Sequence, residues 1–421
     1  MISNLLAARA QMSLSLGFHI IFASIGMTMP ILMVISHGLW LKTKQQDYLL
    51  LTKAWSKGVA ILFATGAVSG TILSFELGLL WPNFMKFAGP IIGMPFSLEG
   101  TAFFCEAIAI GLFLYGWKVL PPLAHWLSGV VVGLSGIASG WFVVCANAWM
   151  NSPRGFVFSG GKVTHIDPIA AMFNAAWFPQ TIHMILAAFE ATGFAVAGVH
   201  ALMLLKSKGN LNLHRKAFVI ALSVGAIAAL LQLLAGDLSA KSVAHRQPIK
   251  FAAMEAHYET QRGAPLVLGG VLPIPKALSF LAYGKFDAEV KGLNDFPPDQ
   301  IPPVAIVRVA FNVMIILGTV LAALSILFFV FLIKKKGFPR WFLLFCAFAT
   351  PAGFLALEAG WVVTEVGRQP WIIYGVMKTS EALTPMPGLV YPFALFSLIY
   401  LGLIVAVSWL MSRLFLELNK C

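Results

Sequence analysis

Nine stretches of the chain stay apolar for the ~20 residues that a helix needs to cross a bilayer. They fall at roughly 12–36, 56–77, 95–117, 124–148, 180–205, 216–236, 305–333, 341–362 and 390–412. Only helices satisfy their own backbone over runs this apolar. The pattern therefore predicts an all-α, polytopic membrane protein, a bundle of about nine transmembrane helices. No unit of 20–50 residues repeats, which argues against a solenoid. The division expected is helices one to six over residues 1–236, a long loop over 237–304 and helices seven to nine over 305–421. An odd number of crossings puts the two termini on opposite sides.

The basic residues orient the bundle. Lys42, Lys44, Lys53, Lys57, Lys118, Lys206, Lys208, Arg215, Lys216, Lys334, Lys335, Lys336, Arg340, Arg413 and Lys420 lie on one side. Outside the long loop and Arg308 at its edge, the other side has only Arg9, Lys86, Arg154, Lys162, Arg368 and Lys378. The positive-inside rule puts the first set in the cytoplasm. The N-terminus, the long loop and the Arg368 corner then face outward, with the C-terminus in the cytoplasm. Within the loop, residues 247–260 read as a short amphipathic helix, and Pro and Gly become frequent from Gly263 onward. A loop this long is usually functional or disordered; its charged and aromatic residues favour function.

Composition agrees with this picture. The 421 residues are 59% hydrophobic and 11% charged, with mean hydropathy +0.84, which excludes an ordinary soluble domain. The net charge of +12 resides in loops rather than on one face, so topology explains it and a nucleic-acid partner is not expected. Cys105, Cys145, Cys346 and Cys421 form no CxxC or CxxCH, and so offer neither a disulfide framework nor covalent haem attachment. The first apolar run lacks a small-residue cleavage site after a short hydrophobic core and reads as a retained helix.

The informative residues are polar ones inside the apolar runs, where each costs free energy unless it is paired or used. His19 lies in the first run. Glu99 and Glu106 share the third at a spacing of seven, which puts both on one helix face. Two such carboxylates cannot both stay ionised cheaply, which suits a proton path. His183, Glu190 and His200 occupy the fifth run and Met314 the seventh; neutral imidazole and thioether sulfur both ligate haem iron. Glu76 closes the second run. Glu358 follows seventeen residues without a formal charge and is succeeded by small residues that leave room for a flat partner. Singly, each has a structural explanation: a lone Met packs, and Glu358 could pair with Arg368. Together they point to redox or proton-handling chemistry, and periodicity alone does not separate a haem protein from a proton-coupled secondary transporter or a quinone-binding membrane anchor.

Longer motifs narrow this. Glu358-Ala359-Gly360-Trp361 with Gly367-Arg368-Gln369-Pro370-Trp371, Phe96-Ser97-Leu98-Glu99-Gly100 and Gln247-Pro248-Ile249-Lys250-Phe251-Ala252-Ala253-Met254-Glu255 resemble subunit I of cytochrome bd-type quinol oxidases. The resemblance runs from about Leu6 to the last helix. The short outer loop is similar to that of the short-loop members. Ser74 to Met85 and the Glu99/Glu106 spacing look most like the cyanide-insensitive branch.

The resemblance implies three haems, b558, b595 and d, with a b-type haem in place of d in some members. His183 and Met314 match the axial pair of haem b558. His19 and Glu358 match ligands of the two high-spin haems, with Glu99 beside them as a further possible ligand. Lys250 and Glu255 match the quinol-binding loop and Glu106 a cytoplasmic proton path. Arg368 and Gln369 are expected near haem propionates. Many members carry Arg where this chain has Asn312, and Arg308, one turn earlier, is the substitute expected.

The activity implied is quinol oxidation coupled to reduction of O2 to water, with generation of a proton motive force. The site implied is the bacterial cytoplasmic (inner) membrane. The partners implied are a hydrophobic subunit II, a very small third subunit in some complexes, quinol, O2 and membrane lipid.

Overall fold

The computed structural model describes residues 3–207, 209–268, 272–335 and 337–418, without the side chains of 415–418. Lys208, Lys336 and Lys420, three of the orienting residues, lie outside the described residues. Fourteen helices follow in order: α1 (Asn4–Thr43), α2 (Gln46–Leu80), α3 (Pro82–Tyr115), α4 (Pro122–Asn151), α5 (Pro168–Met172), α6 (Trp177–Lys206), α7 (Leu211–Arg246), α8 (Pro248–Glu255), α9 (Ala277–Tyr283), α10 (Val304–Ile333), α11 (Arg340–Phe348), α12 (Ala352–Val366), α13 (Thr379–Ala382) and α14 (Val390–Leu418). Among the described residues nine helical spans are long and apolar enough to cross a membrane, with α11 and α12 forming one of them. Four short antiparallel strand pairs lie outside these spans.

The spans overrun the apolar stretches because hydropathy registers only the hydrocarbon core, whereas the helices are capped beyond it. Ser3 accepts the Leu6 N–H at 3.2 Å to start α1, and Asn210 accepts that of Leu213 at 3.1 Å to start α7. The largest departure is at the far end of α7. The loop was expected to begin at Asp237, but the helix continues to Arg246, supported on its surface by a Lys241–Asp237 ion pair of 2.6 Å. It stops where Pro248 restricts the residue before it. The loop proper therefore starts at Gln247, and its predicted helix is the eight-residue α8, ended by Ala256 in the left-handed region (φ 48°).

The eighth span also differs from the single helix expected. It breaks at Ala349-Thr350-Pro351, since Pro351 has no N–H to continue the ladder, and Thr350 Oγ1 donates to the Ala347 carbonyl at 2.6 Å. The broken segment lies against α6, whose Gly198 sits under Thr350.

Helix α6 is central and packs on α1, α4, α7, α11 and α12, while α14 lies outside against α1 and α2. Small residues let backbones approach, as is common where lipid removes the hydrophobic drive between helices. A Cβ on Gly193 of α6 would stand 2.6 Å from Gly225 of α7. Close packing is concentrated at the two ends of the bundle. Trp55, Phe113, Phe218 and Phe342 fill one end, and Trp81, Phe84, Trp149 and Ile373 the other.

Gly193→Ala is expected to force α6 and α7 apart and cost about 1–3 kcal/mol, as overpacking does. Gly111→Ala, where a Cβ meets nothing within 4 Å, should be neutral or stabilising. Melting of the two purified variants in detergent checks the contrast.

Candidate functional site

Two cavities lie between the packed ends. The first, about 780 Å3, is lined by His183 and Glu190 of α6, Gln232 and Gly236 of α7, Asn312 and Met314 of α10, and Gly360 and Trp361 of α12. It continues to Asn151, Gln247, Lys250 and Glu255 at the start of the loop. The second, about 450 Å3, is lined by Arg9, His19, Glu99, Glu106, Ser139, Glu365, Arg368 and Gln369. Both fall within the size of cofactor and ligand sites, roughly 300–1,000 Å3. Val144, Met184 and Trp361 belong to both walls, so a single layer of side chains divides the cavities.

In the first cavity His183 is an orphan. Its buried Nδ1 has no hydrogen-bond partner among the described residues, and its Nε2 meets only Gln232 Nε2, at 3.5 Å. A Cβ on Gly360 would touch Met314 Sδ at 3.1 Å, so the small residue expected to leave room for a flat partner gives that room to the thioether. Imidazole and thioether thus face one cofactor-sized space, a donor set that fits haem iron.

In the second cavity His19 Nδ1 and Ser69 Oγ lie 3.0 Å apart, which fixes the ring and leaves Nε2 as its other donor atom. Gly70 makes space for that ring: a Cβ there would lie 2.9 Å from its Cε1. Ser139 Oγ donates to Glu99 at 3.2 Å, and Gly136 leaves room for the Glu106 carboxylate. The seven-residue spacing does bring Glu99 and Glu106 to one wall, beside His19.

Glu358 is elsewhere. It contributes to neither cavity wall; its Oε2 faces Gly17 of α1, and its buried Oε1 has no partner among the described residues. The pairing with Arg368 is also absent. Arg368 instead donates to Glu365 Oε2 at 2.5 Å. Glu365 was missed by sequence reasoning, although it stands seven residues after Glu358, on the same helix face and next to the Gly367–Trp371 motif. Arg308, expected to stand in for a charge at Asn312, also exerts its charge on Glu255.

Amide side chains join the cavities, and nothing in the hydropathy pattern marks them. Lys250 Nζ donates to Asn151 Oδ1 at 2.9 Å and to the Thr364 carbonyl at 3.2 Å. Gln247 Nε2 donates to the Asn151 carbonyl at 3.0 Å, and Asn151 Nδ2 to that of Asn147 at 3.1 Å. Gln180 Nε2 donates to Asn147 Oδ1 at 2.5 Å, and Asn147 Nδ2 to Glu365 Oε1 at 2.6 Å. Gln369 receives Thr379 Oγ1 at 2.9 Å. Burial lowers Lys250 to about 7, helped by the Arg368 charge and opposed by Glu365. Burial raises Glu255 to about 7, against the pull of Arg308.

A multi-pass helical bundle with His, Met and carboxylate donors around two adjoining cavities is the architecture of a membrane redox protein. The sequence matches the family "Cytochrome bd terminal oxidase subunit I" over residues 7–418. A Bacillus subtilis (strain 168) protein named "Putative cytochrome bd menaquinol oxidase subunit I" is 36% identical over 428 residues, 98% of this chain and 96% of its own. "Cytochrome bd-II ubiquinol oxidase subunit 1" of Escherichia coli (strain K12) is 25% identical, covering 96% of this chain and 95% of its own. The structure of bd oxidase from Geobacillus thermodenitrificans superposes with TM-score 0.92 and 36% identity over 99% of both chains. The chain belongs to the cytochrome bd terminal oxidase subunit I family. It is therefore a haem-bearing subunit of a terminal respiratory oxidase, and the transporter reading has no support.

The Lys250 value gives a signed expectation. Between about 7 and 10.5 the unfolded chain holds a proton that the folded chain has released, so stability rises with pH across that window. Wild type should gain on Lys250→Met by several °C from about pH 7 to about pH 9, and little below about 7. Paired melting curves check it.

Proposed function

We propose that this chain is the catalytic subunit of a quinol:oxygen oxidoreductase in a bacterial inner membrane. The observation that carries the reading is the first cavity, which reaches from His183 and Met314 to Lys250 and Glu255 in one continuous space. His183 and Met314 would hold a haem here, which would supply one-electron transfer, and this donor pair fits the low-spin haem b558. Glu255, raised to about 7, is poised to take a proton from quinol at the outer mouth. Lys250, held by Asn151 and the Thr364 carbonyl, presents its ammonium group to the quinol oxygen.

For the high-spin pair, b595 and haem d or a b-type haem in its place, the donors are His19 and Glu365, both on the second cavity. Glu365 replaces Glu358 in this assignment because Glu358 lines neither space. In this chain alone Glu365 is engaged by Arg368 and Asn147, which would orient its carboxylate toward the cofactor. Two further N–H-bearing atoms of Arg368, Nε and one terminal nitrogen, are buried without partners, as expected of a guanidinium awaiting a propionate. Glu106 and Glu99 pass protons inward from the cytoplasmic side, and quinol protons leave outside, so charge is separated by placement. The loop faces outward and the C-terminus the cytoplasm, following the distribution of Lys and Arg. Subunit I of a bd oxidase implies a subunit II, and we extend the assembly to a very small third subunit.

His183→Ala is expected to remove the low-spin band from the reduced-minus-oxidised spectrum while the high-spin bands remain; an unchanged low-spin band would defeat the ligand assignment. The carboxylate reassignment makes a second prediction. Glu365→Ala should perturb the high-spin spectrum strongly and lower turnover by at least about 100-fold, whereas Glu358→Gln should leave one full set of high-spin bands. The reverse pattern would restore Glu358.

A further inference from the structure

The first cavity holds a carboxylate to which the oxidase reading gives no task. Glu190 of α6 lines it seven residues after His183, on the same helix face and about 10 Å farther from the loop. Glu190 is 5% exposed, and its buried Oε1 has no hydrogen-bond partner among the described residues. No ion pair reaches it there either. A lone carboxylate inside the membrane is costly and marks a functional position.

The other charged groups of this wall are engaged or distant. Asp237 pairs with Lys241 at 2.6 Å, and Glu255 feels the charge of Arg308. Arg246 and Lys250 stand at the loop end, on the last residue of α7 and within α8. Helices α4, α10 and α12 present no titratable side chain to this space. Helix α1 meets the other side of α6, where Thr28 donates to the Ala188 carbonyl at 3.1 Å and Thr192 to that of Ser24 at 3.3 Å. Helix α11 reaches α6 at Gly198, about two turns farther on.

We propose that Glu190 is the proton partner of the low-spin haem, balancing its charge when oxidised and taking up one proton when it gains an electron. This rests on the assignment of that haem to His183 and Met314. Imidazole and thioether are both neutral, so a porphyrin dianion around ferric iron between them keeps one net positive charge. Glu190, an acid of this wall with no cation beside it, supplies the opposite charge. An electron from quinol cancels the positive charge and leaves the carboxylate uncompensated. One proton, entering along the cavity from its Glu255 end, restores neutrality. Electron and proton therefore strengthen each other's binding, as linkage requires.

The test is a redox titration of the low-spin band in the purified oxidase complex at several pH values. An ionised carboxylate opposes the electron, so the wild-type midpoint potential should fall as pH rises. Glu190→Gln is neutral at every pH and should lose most of that dependence, matching wild type at acid pH and standing higher at alkaline pH. A carboxylic acid infrared band should grow on reduction of wild type and be missing from the variant. Equal slopes in wild type and variant, with the low-spin band intact in both, would overturn the role of Glu190 alone. A wild type without any low-spin band would overturn the haem assignment with it. If Glu190→Gln fails to assemble, Glu190→Leu carries the same comparison, and a wild type that gains no such infrared band on reduction would overturn the proposal by itself.

Discussion

Lipid offers no hydrogen bonds, and this requirement shapes the whole molecule. Among the described residues the nine spans close their backbones within helices apart from the break at Ala349–Pro351, and every polar side chain among them must find a partner or a ligand. The side chains that find partners form the amide bridge from Lys250 to Glu365. Those that do not, such as His183 Nδ1 and the free nitrogens of Arg368, border spaces that a cofactor would occupy. At these two residues, the unsatisfied atoms point to what the cavities hold.

Glycine does the complementary work. Where a carboxylate, imidazole or thioether must stand inside the bundle, the facing residue is often Gly: Gly136 for Glu106, Gly70 for His19, Gly360 for Met314. Elsewhere glycine serves packing alone, as at Gly193 and Gly225. The ends of the bundle are dense with aromatic rings and the middle is hollow, so rigidity at the rims holds the interior apart.

The number and kind of spans were legible because runs this apolar admit one backbone solution. The Glu99/Glu106 wall was legible too, since helical periodicity converts a spacing of seven into a shared face. Helix ends were not, because capping by Ser3 or Asn210 and the surface extension of α7 to Arg246 leave no hydropathy trace. The break at Pro351 had a sequence signal, the proline itself, that a run-length reading passes over. Glu358 and Glu365 show the limit of periodicity most clearly. Both lie on one face of α12, and only the depth of each along the helix decides which reaches a cavity. That depth is set by how α12 sits on α6 and α1, a relation between segments far apart in the sequence.

The fastening of Lys250 has an evolutionary corollary. Its two bonds run to Asn151 of α4 and the Thr364 carbonyl of α12, both inside the bundle, and neither involves the loop between Ala256 and the start of α10. Lengthening a surface segment costs little entropy, about 0.6 kcal/mol per doubling. Insertions after α8 can therefore accumulate or disappear across lineages while the lysine stays in register. Variation in the length of this excursion is free to tune its outer face without resetting the chemistry at its root.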